Sequence, residues 1–324
     1  MEHLLEVKNL SVSIDGPAGE VQAVRDVSFS LKKGEVLAIV GESGCGKSVL
    51  CKSIMKLLPP SAKIKEGSIC VNGQDITCYR EREMQKLRGR VFSMIFQDPM
   101  TSLNPTIKIG KQIGEAVVIH NKNYTKEQVN KKVLELMELV GISHPKERYH
   151  QYPWQFSGGM RQRCVMAIAL AADPDILFAD EPTTALDVTI QAQVLDLIKD
   201  LKKKYNTSMI LITHDLGVVA ETSDNVAVVY AGKIIEYGDK KSIFLNPSHP
   251  YTKGLFASLP SMNGKEKRLK PIQGTLPDPT ELPAGCAFAP RCPRATEKCR
   301  AGEIPMTEIE PGHLCSCCNM DQEG

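Results

Sequence analysis

The chain has 324 residues with 40 Lys+Arg against 38 Asp+Glu, a net charge of +2, and is 42% hydrophobic and 24% charged. That length predicts about two domains with enough apolar residues for a sizeable core, and the near-neutral charge argues against a strongly basic nucleic-acid binder or an acidic disordered chain. Met1–Glu6 has no basic stretch ahead of an apolar one, so no secretory signal is expected, and the longest strongly apolar run, Cys164–Ala172, is far shorter than the roughly 18 residues of a membrane span.

Val36–Val40 is a short apolar run followed by a Gly-rich stretch and then by Val49–Leu58, which reads as strand, loop, helix. Ile176–Ala179 and Met209–Thr213 are further runs of buried parallel-strand type. Between them Ile190, Val194, Leu197, Ile198 and Leu201 fall on one helical face. Alternating strands and helices predict an α/β fold with a largely parallel sheet. Val226–Tyr230 and Lys233–Tyr237, joined through Ala231-Gly232, read as an antiparallel hairpin. Residues 98–156 read as a helical insertion: Thr125 and Gln128 form a capping box, and Val129, Val133, Leu136, Met137 and Val140 share a face before Gly141 stops the helix. After residue 240 periodicity fades and Pro becomes frequent, which predicts a C-terminal extension over 241–324 with little secondary structure.

Gly41-Glu42-Ser43-Gly44-Cys45-Gly46-Lys47-Ser48 matches the P-loop pattern at every fixed position and is followed by Val49. The glycines let backbone N–H groups converge on a phosphate, and the following helix adds the positive end of its dipole. Lys47 then reaches the β- and γ-phosphates and the Ser48 hydroxyl holds Mg²⁺. The strand Ile176–Ala179 runs into Asp180 and Glu181. Asp180 is placed to join the Mg²⁺ shell, and Glu181 to polarise an attacking water. Ser157-Gly158-Gly159 opens a third helix with free amides and a hydroxyl, a second anion-binding helix start.

Together these motifs resemble the ATP-binding subunits of ABC transporters over about residues 1–240. The resemblance implies a P-loop, RecA-like core that binds ATP, with an antiparallel β element at its N-terminus. It implies that Ser157, Gly158, Gly159 and Gln162 form a signature segment closing on ATP held by a second ATPase subunit. Gln97 then lies in the loop that reaches Mg²⁺ and senses the membrane partner, Asp187 in the loop crossing the dimer, and His214 contacts the γ-phosphate. Phe156 replaces the usual leucine before the serine. The stretch Ile14–Ala18, where the family places an adenine-stacking aromatic, has no Phe, Tyr or Trp. Because Glu181 and His214 are both present, a hydrolysing half-site is expected.

Asn246–Thr252, and Gly285-Cys286, Arg291-Cys292-Pro293 and Cys299, resemble the C-terminal extension of oligopeptide/dipeptide importer ATPases, with nickel importers in the same branch. That resemblance implies an importer of two membrane permease subunits, two related ATPases forming a hetero- or homodimer at the cytoplasmic face, and an external solute-binding protein. Eleven cysteines are present, six of them after residue 285. With no signal peptide, clustered cysteines suggest a metal site or free thiols over disulfides. Four thiolates suit a [4Fe-4S] cluster, with Zn²⁺ as the alternative. The likeness to the importer tail selects Cys286, Cys292, Cys299 and Cys317 as its ligands, a staple for an extension poor in large apolar residues. A soluble ABC ATPase acting on DNA or ribosomes is the rival class. The single P-loop, the lack of sustained heptads and the small net charge weigh against it.

Overall fold

The computed structural model describes residues 3–17, 19–182, 191, 196, 198–200, 207–258 and 271–319. Asp187 and most of the helical segment expected over 190–201 lie outside the described residues. Two compact units make up the chain: Met1–Lys32 with Val36–Thr77 and Thr213–Gly324, and Lys33–Glu35 with Cys78–Ile212.

In the first unit, β1 (Leu5–Gly16), β2 (Gly19–Leu31), β4 (Ala62–Val71) and β5 (Gln74–Asp75) form an antiparallel sheet in the order β2-β1-β4-β5. Leu5, Val7, Leu10 and Val12 are its buried apolar side chains on β1, as half-buried strands require. This is the antiparallel element that the family resemblance implies. β3 (Val36–Val40), buried at every residue, pairs in parallel with β9 (Asn225–Tyr230). β9 turns back antiparallel into β10 (Lys233–Asp239). The connecting Ala231 and Gly232 have φ of 45° and 78°, the left-handed pair a two-residue hairpin needs.

The second unit carries β6 (Phe92–Ile95), β7 (Ile176–Asp180) and β8 (Ser208–Ile212), paired in parallel in that order. Its helices Pro99–Ser102, Ile109–His120, Lys126–Leu139 and Pro145–Arg148 occupy the segment predicted as a helical insertion. Thr125 and Gln128 make the expected reciprocal cap, and Val133, Leu136, Met137 and Val140 are buried.

The extension differs most from expectation. It contains helices Lys240–Leu245, Pro250–Ala257 and Lys298–Ala301 and an antiparallel pair, β11 (Thr307–Glu310) and β12 (His313–Cys315). β12 adds itself to the edge of β10. Tyr251 and Phe288 bury their rings against Tyr230 of β9, in one apolar cluster with Ala38 and Val40 of β3. The metal staple expected of Cys286, Cys292, Cys299 and Cys317 finds no support in this arrangement. Among the described residues no group of three or more His, Cys, Asp or Glu side chains is arranged to hold a metal ion. Cys286 and Cys292 pack against the aromatic cluster, and burial pushes the thiols of Cys286, Cys292 and Cys317 up, toward the neutral form. Cys299 is the exception: burial raises it, but hydrogen bonds from Thr296 outweigh that and lower it, and its Sγ lies 3.2 Å from the Sγ of Cys318, which is an alternative to Cys317 as the fourth thiolate. Strand addition and aromatic packing anchor the extension to the core.

The join between core and extension is also polar. His249 caps the helix Pro250–Ala257, its Nδ1 accepting the Tyr251 N–H at 3.0 Å. Burial pushes its imidazole down to about 3, against about 6.5 for a free histidine. Folding therefore holds His249 neutral. The stabilisation is complete above pH 6.5 and is lost as pH falls toward 3. His249→Asn retains a capping acceptor without the titration. We expect it to be less stable than the parent at pH 7.5 through lost packing, but to lose about 2 kcal/mol less on moving to pH 5, measured by urea unfolding at the two pH values. An equal loss in both proteins would contradict this.

Candidate nucleotide site

The phosphate loop leaves the C-terminal end of β3 and enters the helix Lys47–Ile54, with Gly46 as its N-cap. Gly46 has φ of 103°, and a Cβ there would lie 2.2 Å from the Ala23 carbonyl; at Gly41 it would lie 2.2 Å from the Val229 carbonyl. Both glycines are thus required by backbone approach as well as by loop curvature. The hairpin after β9 braces the loop from outside, Gly232 N–H donating to Cys45 O at 2.9 Å. Cys45 is buried and its thiol is raised by that burial, consistent with a small packing residue without redox work.

Lys47 is buried, and its Nζ donates to the carbonyls of Gly41 and Glu42 at 2.8 and 2.9 Å. The ammonium therefore closes the loop on itself, poised where a phosphate oxygen would compete for it. Ser48 and Val49 occupy the first turn of the helix, and Ser43 and Gly44 the loop's outer bend, where a Cβ on Gly44 would meet nothing within 4 Å. Glu42 turns its carboxylate away from Lys47 to Arg291, a partner the sequence did not suggest. An Arg 249 positions away carries no local signal.

In the second unit Asp180 is buried at the end of β7, and Glu181 follows with φ of 47°. A left-handed glutamate costs of order 1–3 kcal/mol, a cost typical of functional positions. Its N–H donates to Ile212 O of β8 at 2.9 Å, and Gln97 Nε2 donates to its Oε2 at 3.0 Å. Two residues from separate motifs, Gln97 and Glu181, thus meet. Ser157 caps the helix Gly158–Ala169, its Oγ accepting Met160 N–H. Ser157 and Gly158 are exposed, while Phe156 is buried as a core residue. Gln162 sits differently from Ser157 and Gly158. It is buried and donates to the Pro182 carbonyl at 2.9 Å, tying the signature helix to the segment after Glu181 in place of an outward contact. His214 is exposed just after β8, followed by Asp215, which caps the helix Leu216–Thr222.

A phosphate loop after one parallel strand and an acid pair after another define a P-loop ATPase of the α/β class. The ABC transporter family profile matches residues 24–184, and that of the oligopeptide/dipeptide transporter C-terminal region matches 235–299. The chain is 54% identical over 323 residues to the dipeptide transport ATP-binding protein DppD of Bacillus subtilis (strain 168), covering 99% of this chain and 96% of the relative. It is 56% identical over 312 residues to the oligopeptide transport ATP-binding protein OppD of the same organism, covering 96% and 87%. Among solved structures, cbiO1 of Clostridium perfringens, part of the ABC transporter complex cbiONQ, superposes with a TM-score of 0.66 at 27% identity, over 76% of this chain and 92% of that one. A dimeric ATP-binding cassette in a post-hydrolysis state with ADP and Pi has the same fold, with a TM-score of 0.66 at 24% identity, over 72% and 98%. The chain belongs to the ABC transporter ATPases, in the branch of dipeptide and oligopeptide transport ATP-binding proteins.

Proposed function

We propose that this chain hydrolyses ATP to drive dipeptide or oligopeptide import through membrane permease subunits. The observation that carries the reading is the match to peptide-transport ATP-binding proteins along nearly the whole chain, extension included. Those relatives favour peptide over nickel as cargo. Residues 1–240 serve as the ATPase domain, with its helical part at 98–156, and 241–324 as the importer-type extension.

In this reading the loop Gly41–Ser48, with Val49 after it, holds the triphosphate through the backbone amides that the extension does not occupy and through the Lys47 ammonium. Ser48, Asp180 and Gln97 offer the hard oxygen donors that Mg²⁺ prefers, and the bound ion neutralises phosphate charge. Glu181 takes a proton from the attacking water and His214 reaches the γ-phosphate. Ser157, Gly158 and Gly159 close on the ATP of a second ATPase subunit, with Asp187 crossing between the two, and hydrolysis releases the pair. Two permeases at the cytoplasmic face of the membrane are moved by that cycle, and an external solute-binding protein delivers cargo. No helix among the described residues is long and apolar enough to cross a membrane, so membrane attachment in this reading comes from the permeases. Nucleic acid plays no part.

Fractionation of cells tests the attachment. The chain is expected to sediment with membranes when the cognate permeases are co-expressed and to stay in the supernatant without them. Sedimentation independent of permeases, or binding to ribosomes or DNA, would contradict the proposal.

A further inference from the structure

The extension hydrogen-bonds the phosphate loop at Glu42, from two sides. Arg291 Nη1 and Nη2 donate to the two carboxylate oxygens of Glu42 at 2.8 and 3.1 Å, a bidentate pair with the Arg291 side chain 7% exposed. Tyr251 Oη, on the helix Pro250–Ala257, accepts the Glu42 backbone N–H at 2.9 Å. The carbonyl of the same Glu42 receives the Lys47 ammonium. One residue therefore has its amide and carboxylate held by the extension while its carbonyl holds the phosphate-binding lysine.

Arg291 is itself fixed. Its Nε donates to Gln273 O at 2.9 Å, Nη1 to Tyr230 Oη at 3.3 Å and Nη2 to Ile272 O at 3.4 Å. Its guanidinium also lies 5.8 and 5.9 Å from the ring centres of Tyr230 and Phe288. Charge-assisted forks of this kind are strong and directional, and a planar guanidinium held on all edges cannot be mimicked by an ammonium. The ATP chemistry described above uses no residue of the extension.

We propose that Arg291 is a positioning residue for the phosphate loop: through Glu42 it holds the loop and Lys47 in the shape that receives ATP, so that nucleotide affinity is set in part by the C-terminal extension. This rests on Gly41–Ser48 being the ATP phosphate site. Loss of the fork frees the Glu42 segment, so ATP must order it on binding, while groups at the scissile bond are untouched. Affinity falls and turnover does not.

The test is a double-mutant cycle on the full chain, with Arg291→Ala, Glu42→Ala and the double variant, titrated with ATP and assayed for steady-state turnover, and with thermal unfolding in parallel. Arg291→Ala is expected to raise the dissociation constant and KM for ATP about tenfold, with kcat within about twofold. In the Glu42→Ala background the same change is expected to add less than about twofold, because the two side chains act as one unit. Should Arg291→Ala not fold, Arg291→Lys, which keeps the charge but not the fork, is expected to weaken ATP binding by several-fold. Parental affinity in the folded variant, or an equal loss in the Glu42→Ala background, would overturn the proposal. Lys47→Ala separates the two levels: if it too leaves ATP affinity unchanged, the phosphate-site assignment fails and not merely the role of Arg291.

Discussion

Glu181→Gln is expected to lower steady-state ATP turnover by at least about 10²-fold while leaving ATP binding intact. A positioned general base contributes about 10²–10⁴-fold to a rate, and glutamine keeps the size and hydrogen-bonding reach of the side chain without the ability to take a proton. The position is prepared for that task. Glu181 is held at φ of 47° by its N–H bond to Ile212 O, so the backbone aims its side chain independently of ligand. Its Oε2 already accepts from Gln97 Nε2. A glutamine at 181 can keep that partner through its amide oxygen, so the geometry of the Gln97 loop should survive and the loss should fall on kcat. Phosphate release under saturating ATP and equilibrium nucleotide binding separate the two quantities. Unchanged turnover would remove Glu181 from the chemistry, and loss of ATP binding would make it a structural residue.

The largest stability effect is expected at Glu236. Its carboxylate is fully buried on β10. One oxygen accepts the Ser248 N–H at 2.7 Å and lies 2.8 Å from His313 Nε2; the other accepts the His249 N–H at 3.0 Å. Three elements therefore meet on one side chain: the strand β10, the start of the helix Pro250–Ala257, and β12. Glu236→Leu fits the volume but leaves two backbone N–H groups and a ring nitrogen buried without partners. Each such orphan costs about 1–3 kcal/mol, and removing one member of a buried pair about 3–5 kcal/mol. A loss in that range is expected from urea unfolding midpoints at constant slope. Glu236→Gln, which keeps an acceptor, is expected to lose less. A change below about 1 kcal/mol in the leucine variant would show that the join is held by apolar packing alone.

How far the sequence could be read follows from how local each signal is. The phosphate loop, the acids after β7 and the Thr125–Gln128 cap are each written within a few consecutive residues, where spacing dictates geometry. The hairpin at Ala231-Gly232 is legible for the same reason. The extension was misread because its anchors are distant pairs. Arg291 meets Glu42, Tyr230 meets Phe288, and Glu236 meets His313, and nothing near either member of a pair announces the other. Its scarcity of large apolar residues suggested metal, but three aromatics buried against one another and two strands added at a sheet edge do the same work. Gln162 is placed by motif in the signature segment, but its buried bond to the Pro182 carbonyl, 20 positions on, has no local signal.

The most direct test of the transport assignment is uptake of a labelled dipeptide into vesicles that contain the cognate permeases and this chain with its partner ATPase, loaded with ATP and supplied with the solute-binding protein. Accumulation that requires hydrolysable ATP and disappears with Glu181→Gln is the predicted result. ATP hydrolysis by the assembled complex without peptide accumulation, or accumulation that persists with Glu181→Gln, would contradict it.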